Sequence, residues 1–289
     1  IGYNLVKKFN VDGPVIITMG DKIIDCNFIK RAVKKFCDSN ADFLVSAQPR
    51  ETNPHGGRIV LDENGKPVGI REELDTKRAI IYKKLLSMID EKLSSKNISR
   101  DVETTITHEK VQEIKQEIAG NIEKYAVNIV TNSKKRDKIN NEINSLDYSN
   151  LNNLRKIAEE RATIKIGNRE YDPEYVDTSK YINASFYMLS HKAAQYAFPL
   201  LNDNNAQKEE YITDIVEILA STDEFKLEFE TVKEPHEIMG FNNVEELLKI
   251  EDYYRHLRTS NGMEPDDTSY KTVEEWIDLF ENIDKDKPL

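Results

Sequence analysis

Cysteine is scarce in this chain: Cys26 and Cys37 are the only two in 289 residues. Two cysteines cannot build a disulfide framework. The helix expected around them sets them three turns apart, beyond the reach of a bridge. A reducing, cytoplasmic compartment is the expectation. Long apolar runs are also missing, which excludes a bilayer-spanning helix and any membrane partner, and the opening IGYNLVKKFNVDGP has no signal-peptide pattern. The first residue is Ile, so the chain is expected to begin inside a longer gene product. Positive charge is outweighed, with 41 Lys and Arg against 52 Asp and Glu and a formal net charge of -11. That excludes a general nucleic-acid binder, which needs a basic face to release counterions from phosphates. A nucleotide substrate is still allowed, because a local cleft and a metal ion can outweigh the global field. Internal repeats and low-complexity tracts are absent too.

The length is enough for one large domain or two ordinary ones. PVIITM (Pro14–Met19) is an apolar, β-branched run halted by Gly20-Asp21, which reads as a buried strand delivering a carboxylate at its end. Asn27 is expected to cap a helix in which Phe28, Ala32, Val33 and Phe36 recur at helical spacing. DFLVSAQ (Asp42–Gln48) is a second strand, so the order strand, helix, strand predicts a βαβ unit and a parallel sheet with helices on its faces. A β-hairpin follows over Gly57–Ile70, turning at Asn64-Gly65. From Thr76 to about Lys180 Lys, Glu, Asn, Ile and Leu predominate and several amphipathic helices are predicted, then a short hairpin at Gly167-Asn168. Strands are predicted over Tyr181–Leu189 and Phe225–Val232. Helices are predicted from His191 to Leu201, through Thr213–Leu219, over Asn243–Leu257 and over Val273–Ile283.

The most informative segment is NNAQKEEYITDI, Asn204 to Ile215. Asn204, Asn205, Gln207, Tyr211 and Thr213 offer neutral donors and acceptors that suit a polyhydroxylated ligand without the desolvation cost of a buried charge. A polar loop with a helix cap at Thr213 is the plain structural alternative. The order of residues resembles N-N-A-Q-G-E-Y-Y-[IL]-T-D-I of the N-acetylglucosamine-1-phosphate uridylyltransferases, a segment that lies over the bound sugar in that family. Lys208 and Glu210 depart from it. Four further segments follow the same family in order. VIITMGDKIID supplies Gly20 and a strand-ending Asp21, the position that binds Mg²⁺ beside the nucleotide phosphates. HGGRIVLDENGKPVGIREELD resembles Y-G-R-I…G-K-V-x-G-I-V-E-x-K-D and puts Gly57 and Glu72 at sugar-contacting positions, with Leu74 where that pattern has Lys. YINASFYM resembles E-I-N-T-G-I-x and puts Asn183 against the sugar, with Tyr181 for Glu and Ala184-Ser185 for Thr-Gly. HEIMGFNNVEELLKIE resembles E-x-x-G-V-N-N-R-x-Q-L-x-x-x-E, with Asn242 as second Mg²⁺ ligand and Asn243 as a helix cap.

The resemblance implies an α/β fold with a Rossmann-like, mostly parallel sheet of the nucleotide-diphospho-sugar transferase type. It implies a nucleotidyltransferase-like domain over 1–75 and 181–258, a mainly helical insertion over 76–180 and a helical extension over 259–289. It implies Mg²⁺ on Asp21 and Asn242 as the catalytic centre, and Gly57, Glu72, Asn183, Tyr211 and Thr213 as substrate-binding residues. The substrates would be UTP and a sugar 1-phosphate, most nearly N-acetylglucosamine 1-phosphate, with pyrophosphate leaving. The family's L-A-A-G-x-G-T-R-M loop and its lysine, which hold the triphosphate, have no counterpart here, and the hexapeptide repeats of its bifunctional members are absent. The chain is therefore expected to be N-terminally incomplete or to need a partner chain, with homo-oligomerisation open. The insertion is a surface elaboration, a lid or a partner-binding module, and a non-catalytic relative acting in regulation or assembly is the alternative function.

Overall fold

The computed structural model describes residues 13–52, 54–95, 108–202, 210–241 and 243–260. A mixed sheet forms its centre. Its strands are β1 (Val15–Thr18), β3 (Phe43–Pro49), β4 (Arg58–Leu61), β5 (Pro67–Arg71), β8 (Tyr181–Leu189) and β9 (Leu227–Thr231). One edge of β8 pairs with β3 along its length. The other edge is shared by β1, which pairs at 186–189, and β4, which pairs at Ile182. The hairpin partner β5 extends the sheet beyond β4, and β9 extends it beyond β3.

The expected parallel sheet is corrected here. Only β3 and β9 pair in parallel; every other pairing among the described residues is antiparallel. The reading went wrong on adjacency, not direction. β1 and β3 do run the same way, joined by helix α1 (Cys26–Asp38), but β8 enters between them and opposes both. Local periodicity cannot reveal a strand that arrives from well over a hundred residues downstream.

Both faces of the sheet are covered, so its central strands are apolar on both sides. Leu44, Ala184, Phe186 and Met188 meet Phe28, Ala32 and Phe36 of α1 on one face. Phe28 and Phe186 pack edge to face at 5.5 Å. On the other face Phe43, Val45, Tyr187 and Leu189 meet Ala193, Ala194 and Ala197 of α7 (His191–Ala197) and Ile215, Val216 and Leu219 of α8 (Asp214–Ala220). The cap of α1 is Asp25, not Asn27: its carboxylate accepts the Asn27 N–H at 2.7 Å. Asn40, at φ 50°, closes the same helix, with Ala41 N–H donating to the Phe36 carbonyl and Asn40 N–H to that of Cys37. Both cysteines are exposed and unbridged.

Between β5 and β8 lie helices α2 (Glu73–Ser95), α3 (His108–Ile129), α4 (Ser133–Asn144) and α5 (Leu151–Arg161). They share one core built from Leu74, Ile81, Leu85, Ile118, Ile122, Ile139, Leu154 and their neighbours. Ile118 and Ile122 are fully buried, as the i, i+4 spacing predicts; the side chains of Val111 and Ile114 lie outside the described residues. The hairpin of β6 (Ile164–Ile166) and β7 (Arg169–Tyr171) and helix α6 (Pro173–Asp177) dock back onto Val60 and Ala79. A short ladder joins β2 (Lys22–Ile24) to β10 (Ile238–Gly240), and helix α9 spans Val244–Ser260. None of the described helices is long and apolar enough to cross a membrane. The predicted helix over 273–283 lies outside the described residues.

Candidate functional site

The edge of β8 is where the candidate residues gather. β1 leaves it after Thr18↔Phe186, and β4 joins it at Arg58↔Ile182, so Asn183–Ser185 have no ladder partner on that side. Ser185 stands at φ 62°, in the left-handed region that favours glycine. The Asn183 Oδ1 accepts the Ser185 N–H at 2.9 Å, and the Asn183 amide donates to the Tyr187 hydroxyl at 2.6 Å. Burial, partly offset by that hydrogen bond, pushes the Tyr187 phenol up to about 12. Opposite, β3 shifts register between Val45 and Ala47, and the Ser46 hydroxyl accepts the Phe186 N–H at 3.0 Å. The central strand is kinked on both edges at one level.

Gly57 and Glu72 adjoin this kink. Asn183 N–H donates to the Gly57 carbonyl at 2.8 Å. A Cβ on Gly57 would sit 3.1 Å from Glu72 Oε1 and 3.1 Å from the Ile70 methyl, tighter than ordinary packing. Glycine is what lets the Glu72 carboxylate lie against the backbone. Glu72 stands where β5 passes into α2, its carbonyl accepting the Thr76 N–H at 3.1 Å. Burial, with Asp75 nearby, holds the Glu72 carboxyl above its ordinary range.

A cleft of about 790 Å³ opens from Glu72 and includes Tyr211 and Thr213 in its lining. The capping alternative for Thr213 is not realised: it precedes α8 in helical conformation and its side chain makes no capping hydrogen bond. The residue is only 6 % exposed. Asn204, Asn205 and Gln207 lie outside the described residues. Sequence reasoning missed Asp75 and Asp214, although both sit inside the quoted motifs. Each lines the cleft, and burial raises each carboxyl above its ordinary value. It also missed the far wall, where Glu160, Arg161 and Lys165 come from the helical segment. No local signal marks those three. Glu217 of α8 ties the walls together, accepting from Arg71 at 2.5 Å and from the Gly167 N–H at 2.7 Å.

Beneath the site a dense ion cluster fixes the β4–β5 hairpin to α6. Arg58, 1 % exposed, donates to Asp177 at 3.0 Å and to the Gly56 carbonyl at 2.5 Å. Lys77 reaches the same carboxylate at 2.7 Å and Arg50 lies 3.6 Å away. Burial alone would raise the Asp177 carboxyl, but Lys77, Arg58 and Arg50 together hold it below its ordinary range.

Asp21 follows β1 at the head of the β2–β10 ladder. Its carbonyl accepts the Phe241 N–H at 3.1 Å, which brings the strand end beside the chain that leads to position 242. The Asp21 Oδ1 is buried and has no hydrogen-bond partner among the described residues. Asn242 itself lies outside the described residues. Asn243 caps α9 as expected, accepting the Glu246 N–H at 2.9 Å. Among the described residues no three His, Cys, Asp or Glu side chains converge as a metal cluster. No protein-family model matches the chain, and no curated protein sequence matches it significantly.

Proposed function

We propose that this chain is the sugar-binding and metal-binding portion of a Mg²⁺-dependent sugar-1-phosphate nucleotidyltransferase, with the sheet belonging to the nucleotide-diphospho-sugar transferase type and the reaction run in the cytoplasm. Its products would be a UDP-sugar, nearest to UDP-N-acetylglucosamine by resemblance, and pyrophosphate. One observation carries the reading. Residues singled out in three separate motifs converge: Gly57 adjoins both Glu72 and Asn183, and Glu72, Tyr211 and Thr213 line one cleft. A second feature supports it: the position where the similar segment has Gly, Ser185, holds a backbone conformation that glycine favours.

Asp21 suits a hard divalent cation, because its buried carboxylate oxygen has no donor among the described residues and such an oxygen favours a positive charge. Asn242 would add an amide oxygen. Bound there, Mg²⁺ supplies charge neutralisation between phosphate oxygens. The chain's own residues orient the sugar phosphate for in-line attack on the α-phosphorus: Glu72 accepts from sugar hydroxyls, and Asn183, fixed by Ser185 and Tyr187, presents its remaining amide N–H. No side-chain nucleophile is needed, since positioning and electrostatics provide most of the acceleration.

The test is pyrophosphate release by the full-length gene product over a panel of nucleoside triphosphates and sugar phosphates. Mg²⁺-dependent release that Asp21→Ala abolishes is expected; near-normal turnover in that variant would sink the metal assignment. The alternative, a non-catalytic relative that uses its helices for assembly, draws on the departures at Tyr181 and Ala184-Ser185 and on the helical segment between β5 and β8. A full-length product with no pyrophosphate release on any substrate pair, yet a stable complex through α2–α5, would favour it.

A further inference from the structure

We infer that Lys22 is a phosphate-binding residue whose ammonium receives a phosphate oxygen of the substrate beside Asp21. This rests on the nucleotidyltransferase reading above and deepens it. Every residue given a role there is neutral or acidic, yet the substrates carry phosphates, and a cation from the chain has to meet them. Asp21 and Lys22 are consecutive at the head of the β2–β10 ladder. Lys22 pairs there with Gly240, and the Asp21 carbonyl accepts the Phe241 N–H at 3.1 Å. The Lys22 side chain lies over its ladder partner: a Cβ on Gly240 would collide with Nζ and stand 3.3 Å from both Cδ and Cε. The bare backbone of Gly240 leaves the room that the ammonium occupies. β1 leaves β8 at Thr18↔Phe186, just before Asp21, and the kink at Asn183–Ser185 follows directly on β8. The strand end thus runs past the sugar-contacting Asn183 toward Asp21 and Lys22.

The Lys22 ammonium makes neither an ion pair nor a hydrogen bond among the described residues. Other cations on this flank are committed, Arg31 to Glu237 at 2.6 Å and Lys35 to the Phe229 carbonyl at 2.5 Å. Lys22 is half-buried, so its ammonium keeps an open side toward an incoming anion. The second observation is independent of the lysine. The neighbouring Asp21 Oδ1 is buried without a donor among the described residues, which points to a charged ligand at the same place. The two side chains do not pair with each other, although an ion pair between them would satisfy both. A divalent cation on the Asp21 carboxylate leaves one net positive charge, short of a phosphate dianion. Lys22 supplies the second, as a compact point charge with three donors.

Isothermal titration calorimetry with inorganic pyrophosphate on the intact chain tests this, first in EDTA and then with Mg²⁺. Without metal, Lys22→Ala should weaken binding about tenfold or more, the worth of one charge-assisted hydrogen bond, and Lys22→Arg should keep most of it. Gly240→Ala retains every charge but fills the space under the ammonium, so it should weaken binding as well. Lys30→Ala removes an exposed charge from α1 and should leave binding unchanged. Affinity unaltered by Lys22→Ala, or lowered as much by Lys30→Ala, overturns the inference, as does a wild-type chain that binds no pyrophosphate. If Lys22→Ala fails to fold, Gly240→Ala decides, and unchanged affinity there overturns the inference. Mg²⁺ should tighten binding by an increment that Asp21→Ala removes and Lys22→Ala leaves in place. A wild-type chain without that increment sinks the metal reading while the Lys22 assignment stands.

Discussion

Ser185 offers a sharp test of the site's backbone. Its φ of 62° costs an L-residue about 1–2 kcal/mol relative to right-handed conformations, because Cβ crowds the following carbonyl. Replacing Ser185 by Gly removes that crowding but also loosens the unfolded chain, which costs about 0.5–1 kcal/mol. The serine hydroxyl also interacts with the Tyr187 hydroxyl, and losing that contact offsets part of the gain. Comparing Ser185→Gly with Ser185→Ala cancels the hydroxyl, since both lack it. What remains is the strain released less the entropy lost, so the glycine variant should be more stable than the alanine variant by up to about 1 kcal/mol. Elsewhere in a strand the order is reversed, with alanine the more stable. Urea unfolding followed by tryptophan and tyrosine fluorescence measures the difference. An alanine variant equal to or more stable than the glycine variant would refute a left-handed residue at this position, and with it the kink that opens β8 between β1 and β4.

Three other outcomes follow from the same geometry. Asp177→Asn strands the guanidinium of Arg58 without its counter-charge at 1 % exposure and should cost about 3–5 kcal/mol, read as a lowered urea midpoint. Gly57→Ala forces a methyl to 3.1 Å from the Glu72 carboxylate and the Ile70 side chain. It should cost about 1–3 kcal/mol and weaken sugar-phosphate binding, so a variant with unchanged affinity and melting temperature would be inconsistent with this packing. The pH dependence has a definite sign. Glu72, Asp75 and Asp214 carry raised pKa values, so their contribution to stability is present below the ordinary carboxylate range and is lost as pH rises through the raised values. Asp177 and Glu73 are lowered, so theirs is present above that range and is lost only as pH falls through their own values, below it. Melting temperature should therefore fall with rising pH just above about pH 4, and Asp75→Asn should flatten that fall; an identical slope in the variant would contradict a raised Asp75 carboxyl.

Local pattern carried the elements well and their assembly poorly. The alternation in YINASFYML marked β8 to the residue, and Leu151, Leu154 and Ala158 marked α5, because side-chain period is a property of a short window. Which edge β8 occupies depends on partners at positions 15–18, 43–49 and 58, and no local window contains them. The site followed the same division. Gly57, Glu72, Asn183, Tyr211 and Thr213 could be singled out because each lies in a short ordered motif, and the fold sets Gly57 against Glu72 and Asn183 and puts Glu72, Tyr211 and Thr213 on one cleft. Asp75 and Asp214 were in view but unassigned, since a carboxylate in sequence gives no sign of whether a cation faces it. Arg161 and Lys165 could not be found at all, because only the fold brings the end of α5 and β6 to the same cleft as α8. The Thr213 cap shows the opposite error, where an ordinary helix-start reading was plausible by residue type and is not what the hydroxyl does.

Leu74 connects the helical segment to the electrostatics of the cleft. In the segment that this region resembles, the position carries Lys, two residues past the sugar-contacting Glu and one before an Asp. Here the corresponding side chain is 7 % exposed and belongs to the core shared by α2–α5. A lysine could not occupy that place without burying an ammonium among Ile81, Leu85 and Leu154, at a cost of several kcal/mol. The four helices between β5 and β8 thus require an apolar residue at position 74. Burial raises the neighbouring Glu72 and Asp75 carboxyls, against the opposing charges of Lys135 and Arg58 on the first and of Arg78, Arg71 and Lys138 on the second. The same helices then supply Arg161 and Lys165 to the opposite wall, but already engaged with Glu142 and Glu170. The segment therefore shapes the cleft twice, by the wall it adds and by the charges of Arg78 and Lys138 that it sets near Asp75. Leu74→Lys would bury an ammonium in that core and should lower the stability of α2–α5 by several kcal/mol, read as a lowered urea midpoint.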